Sequence, residues 1–430
     1  MTSTVGENMT NNQNEPREFD AVLGGQTPPI YNAVLGGIEG IKRRLSSQFI
    51  EDREDALQDA LQYGESGLDL IIQALQDKSG RLRRYACVLL SERNEPQAIA
   101  ALQSYKPWFL KERWELEKRI GSTIIRWHSK KFANRKVEEY DPQVGITDPI
   151  GTAYAFRTDR DGDDFIADKL ALLLEDPQVC KVEALVFGMW HSDVFESDSS
   201  QNIVNFLVNS QDQLTNLKAV FIGDVTDNES MISQMSHNYI SPVLEAYPNL
   251  EILKIRGGNT HRMFNPIRHE KLKALIIETG GLRQESLLQL YSLQLPALEH
   301  LEIWLGSLNY GCTCSVEDLI PLLYGDLFPN LIYLGLRNSE YTNAIVHEIV
   351  QTPVLQKIQV LDISLGNLND EGAEILLNSP IINQLDMLNI SETYVTDEML
   401  ELLWQMDVRV IAEGSRFYEY EGDRYCTVAE

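Results

Sequence analysis

One short phrase governs what this chain can become. The pattern L-x-x-L-x-L, with Ile, Val or Phe standing in for Leu, occurs at Val182–Phe187, Leu217–Ile222, Leu250–Ile255, Leu272–Ile277, Leu298–Ile303, Leu331–Leu336, Ile358–Ile363 and Leu385–Ile390. Its final alternation is that of a strand with one buried face. First residues stand 22 to 35 apart, and the last three copies keep a 27-residue period. Between the phrases lie stretches with the i, i+3, i+4 apolar spacing of helices. Asn369-Asp-Glu-Gly-Ala-Glu-Ile-Leu-Leu377 returns 27 residues later as Thr396-Asp-Glu-Met-Leu-Glu-Leu-Leu403. Each opens on a capping residue followed by acids in the first turn. One strand and one helix cannot bury their own apolar side, but stacked copies can. The chain is therefore expected to form a solenoid.

The L-x-x-L-x-L phrase with its D-E-G-A-x-x-L helix resembles the leucine-rich repeat family, in its ribonuclease-inhibitor-like class, over roughly residues 150–412. That resemblance implies an α/β repeat fold: a solenoid with a parallel sheet on its concave face and helices on its convex face. Two departures stand out. The Asn expected after the strand is missing from most copies, and spacings of 33 and 35 residues imply longer convex loops. An irregular arc is expected. The ending, Asp407 to Glu430, alternates well enough at Phe417–Tyr420 and Tyr425–Val428 for a hairpin cap.

The front of the chain follows another rule. Asp20-Ala-Val-Leu-Gly-Gly25 recurs as Asn32-Ala-Val-Leu-Gly-Gly37, with Pro28 and Pro29 between. Neither Gly-Gly pair carries the Lys-Ser/Thr or G-x-G-x-x-G context of a phosphate loop, so both are read as turn punctuation. Amphipathic helices are expected at Ile38–Leu45, Gly64–Asp77, Gly80–Glu92 and Glu95–Gln103, the last with Pro96 in its first turn. Residues 20–110 resemble the HEAT-like repeats of phycobilin lyases, in a module associated with cyanobacterial proteins that stands in front of other repeat arrays. The organisation expected is a disordered leader at 1–18, the DAVLGG segment and a short HEAT-like helical domain at 19–105, a basic helical linker at 106–149, and leucine-rich repeats with a C-terminal cap at 150–430.

Charge is unevenly placed. Residues 1–150 hold 20 Lys+Arg and 22 Asp+Glu, whereas residues 151–430 hold 17 and 42, most of the total of −27. Such a back half repels nucleic-acid phosphate and anionic membrane and attracts a basic protein partner. No window reaches the ~18 uninterrupted apolar residues of a membrane helix. Five scattered cysteines fit a reducing, cytoplasmic setting better than a disulfide framework.

Other constellations have plainer readings. Residues 106–136 interleave cations with Trp108, Trp114 and Trp127, as single-strand nucleic-acid binders do, yet the Trp spacing is that of one helix face with cations on the other. Nucleic acid is accordingly not expected as a partner. Asp159–Asp164 looks like a calcium loop but lacks the Glu and Gly positions of an EF-hand. Cys312-Thr-Cys314 lacks zinc spacing, and His191 stands alone. No catalytic set, cofactor or metal is expected, and oligomeric state is not readable.

The leucine-rich repeat geometry puts the third, fifth and seventh positions of each strand phrase on the concave surface. The middle copies then bring together Lys254, Arg256, Glu278, His300, Glu302, Trp304, Tyr333 and Arg337, rich in the residue types of interface hot spots. Trp304 and Tyr333 are expected to be exposed anchors on that face. The chain is read as a non-enzymatic protein-interaction scaffold. The alternative is a pigment-lyase-like or chaperone-like helper acting through its HEAT portion.

Overall fold

The computed structural model describes residues 37–105, 126–158, 166–189, 200–237, 239–258, 263–414, 416 and 426–428. The chain divides into a helical unit, Met1–Lys78 with Leu82–Tyr105, and an α/β unit, Ser79–Arg81 with Lys106–Glu430.

The helical unit contains helices Gly37–Leu45, Ile50–Ala60, Gly64–Ala74 and Pro96–Tyr105, together with helix Gly80–Ser91 from Leu82 onward. The first begins at Gly37, the last residue of the second Gly-Gly pair and one residue before the expected Ile38. The repeated DAVLGG segment before it lies outside the described residues. Apolar positions at helical spacing, among them Leu57, Ala60, Leu68 and Ile71, are buried. Helix Gly64–Ala74 approaches its neighbour very closely at Gly67, where a Cβ would stand 1.8 Å from the carbonyl oxygen of Ala60. Helix propensity favours Ala over Gly by about 1 kcal/mol, but the contact reverses the sign. Gly67→Ala should destabilise this unit by about 1–3 kcal/mol; a thermal melt that moved upward would contradict that.

The α/β unit holds one 12-stranded sheet in which chain order and spatial order coincide. Its strands are β1 (Lys131–Phe132), β2 (Arg135–Glu139), β3 (Thr152–Phe156), β4 (Ala184–Phe187), β5 (Ala219–Ile222), β6 (Ile252–Arg256), β7 (Ala274–Glu278), β8 (His300–Gly306), β9 (Tyr333–Ser339), β10 (Val360–Asp362), β11 (Met387–Asn389) and β12 (Arg409–Ile411). All neighbours from β2 onward pair in parallel; β1 and β2 alone are antiparallel.

A single backbone device repeats along the array. From β4 to β10 the carbonyl of the residue before the strand accepts two N–H groups from the next coil. Glu183 O takes Lys218 and Ala219, Lys218 O takes Glu251 and Ile252, and the series runs on to Gln359 O with Asp386 and Met387. Each coil is thereby fixed to the next whatever its loop length.

In each of the eight phrases a strand begins two residues after the first apolar residue, and in β6 to β9 it runs past the end of the phrase. The leading residue, such as Leu217, Leu250 or Leu298, is buried just outside the strand. One continuous cluster runs through the array. It joins Leu185, Val220, Leu253, Leu275, Leu301, Leu334, Leu361 and Leu388 of the strands to helix residues such as Leu173, Leu207, Leu287, Leu322, Leu376 and Leu403. The predicted caps also form: Asn369 accepts from the N–H groups of Glu371 and Gly372, and Thr396 from that of Met399.

One expectation needs correction. The basic segment does not continue as a helix through residues 131–139, which form the β1–β2 hairpin. Ala133 and Asn134 adopt left-handed φ of 51° and 62°, the two-residue turn that suits a twisted hairpin. At the far end β12 adds a further parallel strand to β11; the segments expected to form the hairpin cap, Phe417–Tyr420 and Tyr425–Val428, lie mostly outside the described residues. Residues 106–125 and 417–425 lie outside the described set. Among the described residues, no helix is long and apolar enough to cross a membrane.

Candidate functional site

Alternation sends the other half of each strand's side chains to the sheet face turned away from the helices. Over the first strands that face is small and apolar: Phe132, Ala153, Ala155, Ala184, Val186, Ala219 and Phe221 form one buried cluster. Charge enters this face at β6 and β7, whose Ile252, Ala274 and Ile276 still belong to the apolar cluster. The parallel register places Arg256 opposite Glu278, His300 opposite Tyr333, and Trp304 opposite Arg337.

These side chains are paired with one another. Glu278 forms ion pairs with Lys254 Nζ at 2.8 Å and with Arg256 Nε at 2.6 Å. Both cations also lie over the Phe221 ring, at 4.6 and 5.4 Å from its centroid. One coil further on, Arg337 Nη1 donates to Glu302 Oε1 at 2.6 Å, while its Nε donates to Ser364 Oγ at 2.9 Å and lies 3.4 Å from Asp362 Oδ1. Trp304 Nε1 donates to the same Glu302 oxygen at 2.8 Å, and Tyr333 OH donates to Asp362 Oδ2 at 2.7 Å. The His300 and Tyr333 rings stack at 3.9 Å with 6° between their planes. His300 Nε2 stands 3.6 Å from Glu302 Oε2, an electrostatic contact longer than a hydrogen bond.

Burial and pairing set the protonation states. Burial opposes the charge on Glu302, but Arg337, His300 and Lys254 outweigh it and hold the carboxyl well below its usual range. Burial lowers Lys254; attraction to Glu278 resists, and the neighbouring Arg256 adds to the lowering. For Arg337 burial acts downward too, but Asp362 and Glu302 together raise it. Tyr333 is pushed well above its ordinary value by burial and by Asp362 and Glu302. A second cluster repeats the logic on the earlier coils. Asp224, wholly buried, accepts from the backbone N–H of Ser129 at 3.1 Å and pairs with Arg157. Burial again opposes its charge, and Arg157 and Arg256 prevail, holding it low.

The sequence-derived site residues are thus brought together as expected, all on one sheet face. Their expected exposure is not found. Lys254, Glu278, His300, Glu302 and Trp304 are each 0% exposed, Arg256 1%, Tyr333 2% and Arg337 3%. The spacing of the strands identified the shared face, but spacing carries no information on what lies over it. Trp304 is a packed residue, and Arg337 rests above its ring at 5.5 Å. The thiols of Cys312 and Cys314 are also buried, and burial raises both. His191 and the acidic stretch Asp159–Asp164 fall outside the described residues.

His237 is a buried group that the sequence reading passed over. Its Nε2 donates to Arg256 O at 2.6 Å, and burial lowers its pKa to about 4 against that bond's upward pull. A depressed pKa means that the folded state needs the neutral ring. Its stabilising contribution is complete above about pH 6.5 and is lost as pH falls toward 4. Stability should drop by about 2 kcal/mol between pH 7 and pH 5. In urea titrations His237→Gln should remove that slope; a slope unchanged in the variant would assign it elsewhere.

The fold and this face define a class: an α/β strand–helix array with a self-compensated charged layer on one side of its sheet. No family model and no curated protein matches the sequence. Among solved structures, one from Bacteroides fragilis is 28% identical with a TM-score of 0.59, covering 64% of this chain and 77% of that one. A leucine-rich-repeat protein of Leptospira interrogans is 13% identical with a TM-score of 0.27, covering 61% and 60%. The Bacteroides structure supports the array; the Leptospira overlay is too poor to add to it.

Proposed function

We propose that the chain is a non-enzymatic protein-interaction scaffold: a HEAT-like helical module followed by an acidic leucine-rich-repeat array that engages a basic protein partner. The observation that carries this reading is the order of the sheet. Twelve strands in sequence order make one long, regular unit whose buried cations are already matched by acids. Such an architecture favours an extended surface over an enclosed reaction centre.

A basic partner is supported by the placement of acids as well as by composition. Four of the last five helices open with acids: Glu285, Glu317 and Asp318, Asp370 and Glu371, and Asp397 and Glu398; helix Thr342–Ile349 between them does not. These acids stabilise their own helix N-termini, and in stacked coils they also line one rim of the array. The residues first assigned as anchors, Trp304 and Tyr333, are then part of the buried frame and not of that surface.

Affinity capture on the full chain, loaded at low salt and eluted in salt steps, tests the reading. The expected result is a discrete protein with a basic surface that leaves as salt rises. Capture that is indifferent to salt, or selective only for acidic partners, would contradict it.

A further inference from the structure

Three residues in the last coils have backbones that side chains rarely permit. Asn338, Leu365 and Glu392 have φ of 53°, 66° and 56°. They stand 27 residues apart, each two residues beyond the last core position of its phrase: Leu336, Ile363 and Ile390. Such outliers persist only where surrounding structure over-determines them, and they gather at ligand clamps. A Leu and a Glu gain nothing locally from the left-handed region.

All three meet the same short segment of the chain's own C-terminus. The Asn338 side chain accepts from Val428 N at 2.9 Å and donates through Nδ2 to Val428 O, clasping that residue's main chain from both sides. Leu365 O accepts from Thr427 N at 2.7 Å. Glu392 O lies 3.4 Å from the Thr427 hydroxyl, which donates to it. The Val428 side chain completes a buried cluster with Ile232, Trp304 and Leu365. Nearly every polar contact reads main chain, so the groove selects an extended backbone, one small aliphatic side chain and a hydroxyl before it. This is how grooves capture extended peptides.

The surroundings are acidic. Glu340 and Glu392 are half-buried just after strand ends, Glu371, Asp397 and Glu398 are exposed in first turns of helices, and Glu413 is exposed after β12. Where the chain itself passes this rim it places a cation: Arg416 donates to Tyr394 OH at 3.1 Å and lies 5.4 Å over the Tyr394 ring. We propose that the Asn338–Leu365–Glu392 groove is a peptide-docking site held closed by residues 426–428, and that an extended basic segment of a partner, carrying a Thr-Val-like pair, displaces this strap. The proposal rests on the scaffold reading and specifies its contact.

The test uses the full chain and a synthetic, N-terminally labelled peptide of residues 424–430, followed by fluorescence anisotropy under reducing conditions. A strap closed more than about nine-tenths of the time lowers apparent affinity at least about tenfold. Val428→Glu, which cannot seat a charge against Trp304, should therefore bind the peptide at least about tenfold more tightly than the unaltered chain. Adding Asn338→Ala should abolish that gain. A folded Val428→Glu chain that binds no better than the parent overturns the proposal. Should the variant not fold, hydrogen exchange on the unaltered chain decides. The amides of Thr427 and Val428 should exchange by local opening, at least about tenfold faster than those of Leu361 and Leu388; equal protection would make the segment part of the core and sink the idea. Failure of peptide binding with salt-released capture of a basic protein intact would remove the groove and leave the scaffold.

Discussion

Glu302→Ala will cost the α/β unit about 3–5 kcal/mol, the size expected when one member of a buried ion pair is removed. Glu302 lies at the junction of the charged layer. It accepts from both Arg337 and Trp304 and faces His300. Its loss leaves Arg337 buried with Asp362 as its remaining carboxylate and leaves the indole N–H without its acceptor. The exposed pair Lys273–Glu251, at 2.8 Å and 42% and 36% side-chain exposure, supplies the control. Glu251→Gln should shift stability by no more than about 1 kcal/mol. Urea midpoints of the two variants provide the comparison. Equal shifts would mean that water reaches Glu302 as it reaches Glu251.

Trp304→Ala should be of similar size, about 3–5 kcal/mol, because a fully buried indole is replaced by a void. The cavity would open between Arg337, Leu365, Ile232 and Val428. The effect includes a lost hydrogen bond to Glu302, so it should fall toward the upper part of that range. This changes how the residue can be used. A Trp304→Ala chain that fails to bind a partner reports first on a destabilised array. A binding experiment therefore needs rim substitutions such as Glu371→Lys or Glu398→Lys, at positions already exposed to solvent.

Much of the array is legible in the sequence because its core obeys a strict rule. Leu253, Leu275, Leu301, Leu334, Leu361 and Leu388 are the fourth residue of their phrases, and all are buried against the helices. Strands β3 and β12 were not legible for a physical reason. In β3 the core positions are Tyr154 and Phe156, aromatic residues where the phrase expects Leu. In β12 only Arg409–Ile411 remains of the pattern. The hairpin at Phe132–Arg135 was hidden because Ala-Asn is a weak turn signal beside the favoured Asn-Gly.

The site was half legible. Alternation assigns Lys254, Glu278, Glu302 and Arg337 to one face, and opposite charges on adjacent strands foreshadow their pairing. Burial of that face is a tertiary property, and the exposed, Trp-anchored surface expected from hot-spot composition does not exist in the fold. Asn338, Leu365 and Glu392 were invisible for the opposite reason. Their common feature is a backbone angle at one repeat position, and three unrelated side chains conceal it.

Hydroxyl-radical footprinting of the native full chain, read residue by residue by mass spectrometry, tests the buried charged face most directly. Trp127 and Trp404, at 72% and 53% exposure, should label rapidly, whereas Trp304 and Tyr333, at 0% and 2%, should stay protected until the array unfolds. Labelling of Trp304 in the folded chain at the rate of Trp404 would contradict the account.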